Sequence, residues 1–160
     1  MDFRTGIGFD VHAFAENRKL ILGGIEIPYN KGLAGHSDAD AVLHAITDAI
    51  LGSLGLGDIG SHFPDTDQKN KNADSKIFLL HSLELIDEKG YQLNNVDVVI
   101  ALQKPKLQNH IPQMKKNIAE LLNKSENDIS IKATTTEKLG FVGREEGIAA
   151  MATVTVLKKV

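Results

Sequence analysis

The sequence predicts an α+β fold, a mixed β-sheet with helices packed on one of its faces. Two observations predict it. Short apolar stretches of β character fall at residues 4–9, 19–27, 93–102, 129–133 and 148–157, whereas apolar residues recur with helical period after residues 37, 75 and 111. The resulting order, β, β, α, α, β, α, β, β, mixes strands and helices in layers. A length of 160 residues, 42% of them hydrophobic and only 5% aromatic, suits one domain spanning residues 1–160, with a core of Ile, Leu, Val and Ala.

The elements follow in turn. Residues 4–9 form a strand, and residues 19–22 and 25–27 form a hairpin broken at Gly23-Gly24. Ser37 or Asp38 caps a first helix with Ala39, Val42, Leu43, Ile46, Ile50 and Leu54 on one face and Asp40, His44 and Asp48 on another. Glycines between 52 and 60 end it, and a polar loop follows through residue 73, a length at which loops often carry function. Asp74-Ser75 caps a second helix that Gly90 terminates. A buried strand at 93–102 precedes a third helix with Pro112 in its first turn. Strands at 129–133 and 148–157 bracket a Thr-rich turn and a glycine-punctuated segment. Three helices cover only one face of a four- or five-stranded sheet. The other face is expected to meet a partner chain, so an oligomer is predicted.

Composition excludes several function classes. The 18 basic and 21 acidic residues are intermixed, without the basic stripe a nucleic-acid backbone requires. The absence of cysteine removes disulfides, thiolate nucleophiles and sulfur-ligated metals, so a zinc site has to use His and carboxylate. No signal peptide opens the sequence and no apolar run approaches the ~18 residues of a membrane span, which predicts a soluble, cytoplasmic protein.

Three constellations carry chemistry. In Gly8-Phe9-Asp10-Val11-His12, at the end of the first strand, side chains two apart share a face, so Asp10 and His12 can hold one ion. His44 offers a third ligand, with Asp40 and Asp48 one turn to either side to orient its second ring nitrogen. Asp, His and His with one open position is a catalytic zinc pattern. Asp-x-His alone also arises by chance, and His44 reads equally as a solvent-facing helix residue. In Leu33 through Asp40, Gly35 lets backbone approach a ligand, the helix N-terminus offers N–H groups to a phosphate, and His36 and Ser37 add donors; a plain helix cap fits the same residues. Finally, Thr134, Thr135 and Thr136 can hydrogen-bond phosphate oxygens while Glu137 holds a divalent ion, or the run is an ordinary turn.

Taken together, Gly8-Phe9-Asp10-Val11-His12, Gly35-His36-Ser37-Asp38, Gly57-Asp58-Ile59-Gly60, Phe63-Pro64-Asp65-Thr66-Asp67, His110-Ile111-Pro112-Gln113-Met114 and the stretch 132–140 resemble the 2-C-methyl-D-erythritol 2,4-cyclodiphosphate synthase family, in order along nearly the whole chain. The resemblance implies a CMP-releasing phosphorus–oxygen lyase of non-mevalonate isoprenoid synthesis. Its substrate is 4-diphosphocytidyl-2-C-methyl-D-erythritol 2-phosphate. It implies one zinc ion per chain on Asp10, His12 and His44, a second divalent cation, Mg2+ or Mn2+, on Glu137, and His36 and Thr135 positioning the phosphates as catalytic residues. Ser37, Asp58, Ile59, Gly60, Phe63, Pro64, Asp65, Thr66 and Asp67 fall where the methylerythritol part is held, and Leu102, Gln103, Lys104, Pro105, Lys106, Leu107 and Gln108 match a cytidine pocket. Thr134 and Thr136 flank the phosphates, and Phe141 and Arg144 take substrate positions. The fold implied is a homotrimer with sheets facing the three-fold axis, active sites between subunits, and an isoprenoid diphosphate as a candidate ligand on that axis, for which Phe141, Arg144 and Glu146 are the lining residues. An Arg144 clamp to Glu145 or Glu146 is the competing arrangement.

Because the substrate's own 2-phosphate attacks the β-phosphorus, such an enzyme supplies geometry and charge neutralisation rather than a nucleophile. Two rivals remain at this level: a zinc phosphohydrolase, which has the same ligands, and a non-catalytic trimeric ligand-binding module, which needs no catalytic metal.

Overall fold

The computed structural model describes residues 2–64 and 73–160. Five strands form one mixed sheet in the order β4-β1-β7-β5-β6, built from β1 (Phe3–Ala15), β4 (Gly32–Leu33), β5 (Tyr91–Ala101), β6 (Ile129–Thr134) and β7 (Gly147–Lys158). β1 and β7 pair antiparallel from Phe3↔Leu157 to Ala13↔Gly147, β7 pairs antiparallel with β5, and β5 pairs parallel with β6. The hairpin of β2 (Leu20–Leu22) and β3 (Ile25–Ile27) stands as a separate two-stranded sheet.

The helices α1 (Ala41–Ser53), α3 (Lys76–Glu88) and α4 (Ile111–Leu122) pack on one side of the sheet, α1 over β1 and β7, α3 on β5 and α4 on β6. Short helices α2 (Ile59–His62) and α5 (Gly140–Gly143) lie in the connections, and a 3-10 turn (Glu126–Asp128) precedes β6. Between sheet and helices, Ile46, Ile50, Leu79, Val98, Ile100, Ile118, Val154 and Val156 are buried, each such burial contributing roughly 1.5–3 kcal/mol. The opposite sheet face is apolar and open: Phe3, Ile7, Phe9, Val11, Val99 and Met151 stand 37–63% exposed.

Two sequence expectations change here. β1 does not end near residue 9; it continues to Ala15, so Asp10 and His12 lie within a strand held by β7, their positions paired with Ala150 and Ile148. Polar side chains at alternate positions read as a strand end because the sheet face they occupy is a site rather than a core. The apolar face of α1 is also wider than the spacing suggests: Ala41, Val42, Leu43, Ala45, Ile46, Thr47, Ala49, Ile50, Leu51 and Ser53 are all buried, which leaves a narrow stripe of His44, Asp48 and Gly52. A helix buried on all but one stripe runs through the interior of the fold, and that stripe turns His44 and Asp48 toward the cleft described below. Among the described residues, no helix is long and apolar enough to cross a membrane.

Candidate active site

Gly6 and Gly8 explain how a helix ligand reaches a strand ligand. A Cβ on either would stand 1.9 Å or 2.0 Å from the carbonyl oxygens of Ala49 and Ala45, so α1 rests directly on the β1 backbone. Gly6, Gly8, Asp10 and His12 share one face of the strand by its two-residue period. His44, one residue before Ala45, is thereby carried to Asp10.

The three side chains converge. Asp10 Oδ2 lies 2.9 Å from His12 Nε2 and 3.0 Å from His44 Nδ1, and the two histidine nitrogens are 3.3 Å apart. Among the described residues, these form a group of His and carboxylate donors close enough to share one metal ion. The side chains are only 12–24% exposed. In the metal-free site burial alone would raise the Asp10 carboxyl, but hydrogen bonds from the doubly protonated forms of His12 and His44, with their charge, bring it down to about 2. For His12, burial disfavours the charged form, and the hydrogen bond and charge of Asp10 outweigh it and raise the pKa above its ordinary value.

The donor set fits a zinc ion because each histidine spends its other nitrogen elsewhere. His12 Nδ1 donates to the Ala34 carbonyl at 2.6 Å, which in the neutral ring that binds a metal leaves the Nε2 lone pair directed at the shared centre. His44 Nε2 bonds the Ser75 hydroxyl at 2.8 Å. That partner corrects the expectation that Asp40 or Asp48 orients His44. Asp40 is fully buried and caps α1, accepting N–H bonds from Val42, Leu43, Gly23 and Gly24; burial pushes its carboxyl up to about 6 against the pull of those donors. Asp48, likewise raised by burial, accepts from the Ile59 N–H at 2.8 Å. The cap of α1 is therefore Asp40, not Ser37 or Asp38. The N–H groups of Val42 and Leu43 go to Asp40, that of Ala39 to Ser37 and that of Asp40 to Asp38, which leaves these four nothing to offer a phosphate.

A cleft of about 250 Å³ opens over the donors, lined by Asp10, His12, Gly35, His36, Ser37, His44, Asp48, Ile59, Gly60, Phe63 and Phe78. His36 is exposed at its rim, whereas Ser37 is buried, its hydroxyl accepting from the Ala39 N–H. The loop bearing them is anchored by Arg18, whose guanidinium donates to the Gly35 and Ser37 carbonyls at 3.1 Å and 2.6 Å. Asp58 caps α2 through Ser61, and those bonds hold its carboxyl below the usual range. Phe63 packs on Phe78 with ring centroids 4.7 Å apart, Pro64 is exposed, and Asp65, Thr66 and Asp67 lie outside the described residues. Phe78 escaped the sequence reading: an apolar helix residue carries no signal that distinguishes a cleft wall from core.

A second cleft, about 330 Å³, is lined by Leu102, Gln103, Pro105, Lys106, Leu107, Gln108, Ile111, Ala133, Thr134 and Thr135. It gathers most of the stretch expected to hold cytidine, and within it one side-chain oxygen, Gln103 Oε1, is buried without a hydrogen-bond partner. Lys104 turns away to pair with Glu145 at 3.0 Å. Beside this cleft the Thr135 hydroxyl donates to Glu137 at 2.9 Å, while the Thr136 hydroxyl is taken by the Leu139 carbonyl. The exposed Glu137 offers one carboxylate, enough for a cation whose remaining ligands are phosphate and water. Phe141 is 38% exposed, and Arg144 is clamped to Glu146 at 2.8 Å and 3.1 Å.

The two clefts share no lining residue. Register links place them at the same end of the sheet, since Asp10 pairs with Ala150, Ala150 with Ile100 and Ile100 with Ala133. β1 and β6 are nevertheless three strand spacings apart, roughly 14 Å.

Comparison with known proteins adds to this geometry. A family model described as the YgbB family matches residues 3–157. The 2-C-methyl-D-erythritol 2,4-cyclodiphosphate synthase of Bacillus cytotoxicus is 60% identical over 157 residues, covering 98% of this chain and 99% of the relative. The bifunctional IspDF of Campylobacter jejuni superposes with a TM-score of 0.94 at 48% identity, over 99% of this chain and 43% of that one. The CDP complex of IspF from Plasmodium falciparum superposes with a TM-score of 0.86 at 38% identity, over 99% and 97% of the two chains.

Proposed function

The chain belongs to the YgbB family, the cyclodiphosphate synthases, and from that premise we propose how its residues convert 4-diphosphocytidyl-2-C-methyl-D-erythritol 2-phosphate to 2-C-methyl-D-erythritol 2,4-cyclodiphosphate and CMP, a lyase reaction of non-mevalonate isoprenoid synthesis. Residues 1–160 act as one domain. An oxygen of the substrate's 2-phosphate attacks the β-phosphorus, the bond from that phosphorus to the bridging oxygen breaks, and CMP departs with the bridging oxygen. No protein nucleophile and no water takes part.

Asp10, His12 and His44 hold zinc, and Glu137 holds magnesium or manganese. When bound, these ions supply Lewis-acid polarisation and charge neutralisation at the phosphates. The chain's own residues do the rest. His36 at the cleft rim and the Thr135 hydroxyl orient the phosphates, which lowers the entropic cost of aligning attacking oxygen and phosphorus. The Phe63–Phe78 wall excludes water from the methylerythritol side. The cleft around Leu102–Gln108 takes the cytidine, a reading that the CDP complex of the Plasmodium falciparum relative supports.

Two features support a homotrimer with sheets facing its axis: the open apolar face of Phe3, Ile7, Phe9, Val11, Val99 and Met151, and the separation of the two clefts within one chain. In such an assembly the metal cleft of one subunit meets the cytidine cleft of the next.

The observation that carries the proposal is the convergence of Asp10, His12 and His44 with both outer histidine nitrogens already engaged. Metal analysis joined to a CMP-release assay tests it. Purified protein should carry about one zinc per chain and release CMP, and His44→Ala should lose both. Full zinc occupancy in the variant overturns the ligand assignment.

A further inference from the structure

We infer that Ser75 and Asp38 are positioning residues for His44, a hydrogen-bonded relay that decides which ring nitrogen faces the metal and ties that ligand to the loop carrying His36. The inference rests on the reading of Asp10, His12 and His44 as metal donors.

The direction of every bond in the relay follows from its far end. The Asp38 carboxylate can only accept. It takes the Ser75 hydroxyl proton on Oδ1 and the Ser75 backbone N–H, at 3.2 Å, on Oδ2. The single Ser75 hydroxyl proton is thus committed, and toward His44 the Ser75 oxygen has only lone pairs. His44 Nε2, 2.8 Å away, is then the donor, which leaves Nδ1 as the lone pair that meets Asp10 and His12. The reverse ring state would set a proton between His44 and the shared centre.

Ser75 is placed for this and not for its own helix. It occupies the N-cap position of α3, yet its side chain makes no capping bond, and it is fully buried. The Lys76 N–H is served by Asp74 instead, at 3.0 Å. The Asp38 N–H donates to the Ala73 carbonyl at 3.1 Å, so this bond and the two from Ser75 lock the loop of His36 to the start of α3. Ser37 is the other hydroxyl near His44 Nε2, but at 3.3 Å and already accepting from the Ala39 N–H it is the weaker partner.

The test measures zinc affinity of the full chain by competition with a chromogenic chelator, and reads the protonated nitrogen of His44 in the metal-free protein from 15N-histidine spectra at a pH where the ring is neutral and carries one proton. Ser75→Ala removes the acceptor. Asp38→Asn keeps the shape but lets an amide N–H face Ser75, which turns the hydroxyl proton toward His44. Each variant should bind zinc roughly 10–100-fold more weakly, and Asp38→Asn should shift the His44 proton from Nε2 toward Nδ1, which loss of packing alone does not do. Unchanged affinity in both variants, with wild type binding zinc, overturns the relay and leaves the metal site standing. A wild type that binds no zinc overturns both. Should the variants fail to fold, the wild-type spectrum decides: a proton on Nε2 supports the relay, and one on Nδ1 overturns it.

Discussion

Gly8 lies beneath Ala45 so closely that a Cβ on the glycine would stand 2.0 Å from the Ala45 carbonyl oxygen. The contact sets the height of α1 over β1 and so the reach of His44 to Asp10. Gly8→Ala should force the helix outward. Overpacking against backbone belongs at the upper end of its usual range, about 3 kcal/mol, which for a chain of this size lowers Tm by roughly 6–12 °C. Calorimetry and chelator competition on the same sample check it, since zinc affinity should fall together with Tm. A stable variant with wild-type zinc affinity would show that α1 is positioned by its other contacts.

If the proposed homotrimer forms through the open sheet face, a charge placed there should separate its subunits without unfolding them. Ile7 and Phe9 are 63% and 57% exposed in the single chain, so Ile7→Lys and Phe9→Lys cost the isolated fold little, while three lysines around an axis repel in a water-poor interface. Sedimentation should change from about three times 17.4 kDa to one, and CMP release should be lost with it. A fully active monomer would break the shared-site arrangement.

Glu137→Gln keeps the size of the side chain and an oxygen to accept the Thr135 hydroxyl, while removing the charge that a cation needs. Zinc content and Tm should be unchanged. kcat in magnesium or manganese should fall roughly 10²–10³-fold, the cost of losing one electrostatic stabiliser of the transition state. Unaltered turnover would remove Glu137 from the metal role.

Most of the fold was legible because the strands alternate or run apolar and α3 and α4 carry ordinary start and stop signals, with Asp74 before α3, Gly90 after it and Pro112 in the first turn of α4. The convergence of Asp10 and His12 was legible for the same geometric reason: a period of two puts them on one face. What failed was whatever depends on distant partners. Asp40 and Asp48 are helical neighbours of His44 in sequence, but their carboxylates are drawn to backbone N–H groups of the β2–β3 turn and of α2. The partner of His44 is instead Ser75, 31 residues away, for which helical spacing carries no signal. The short α2 and α5, four residues each, are fixed by the turns around them rather than by a periodic pattern.

The last prediction separates ring closure from hydrolysis at the same phosphorus, since the donors Asp10, His12 and His44 suit either reaction. The two differ only in the attacking atom. When the 2-phosphate attacks, both oxygens of the exchange belong to the substrate: one forms the new P–O bond, and the bridging oxygen leaves on CMP. Solvent oxygen enters neither product. Turnover in water enriched in heavy oxygen should therefore give unlabelled CMP and an unlabelled cyclic diphosphate. His36 and Thr135 favour this outcome by holding the internal phosphate against the phosphorus, where it excludes a water of equal reach. Attack by water would instead leave one heavy oxygen in CMP or in a linear bisphosphate, depending on which phosphorus was struck. Mass spectrometry that found such a label at stoichiometric yield would establish hydrolysis and overturn the cyclisation mechanism, with the zinc ligands unaffected. A partial label confined to Thr135→Ala would instead show what the hydroxyl does in the wild type, namely keep the substrate phosphate ahead of water.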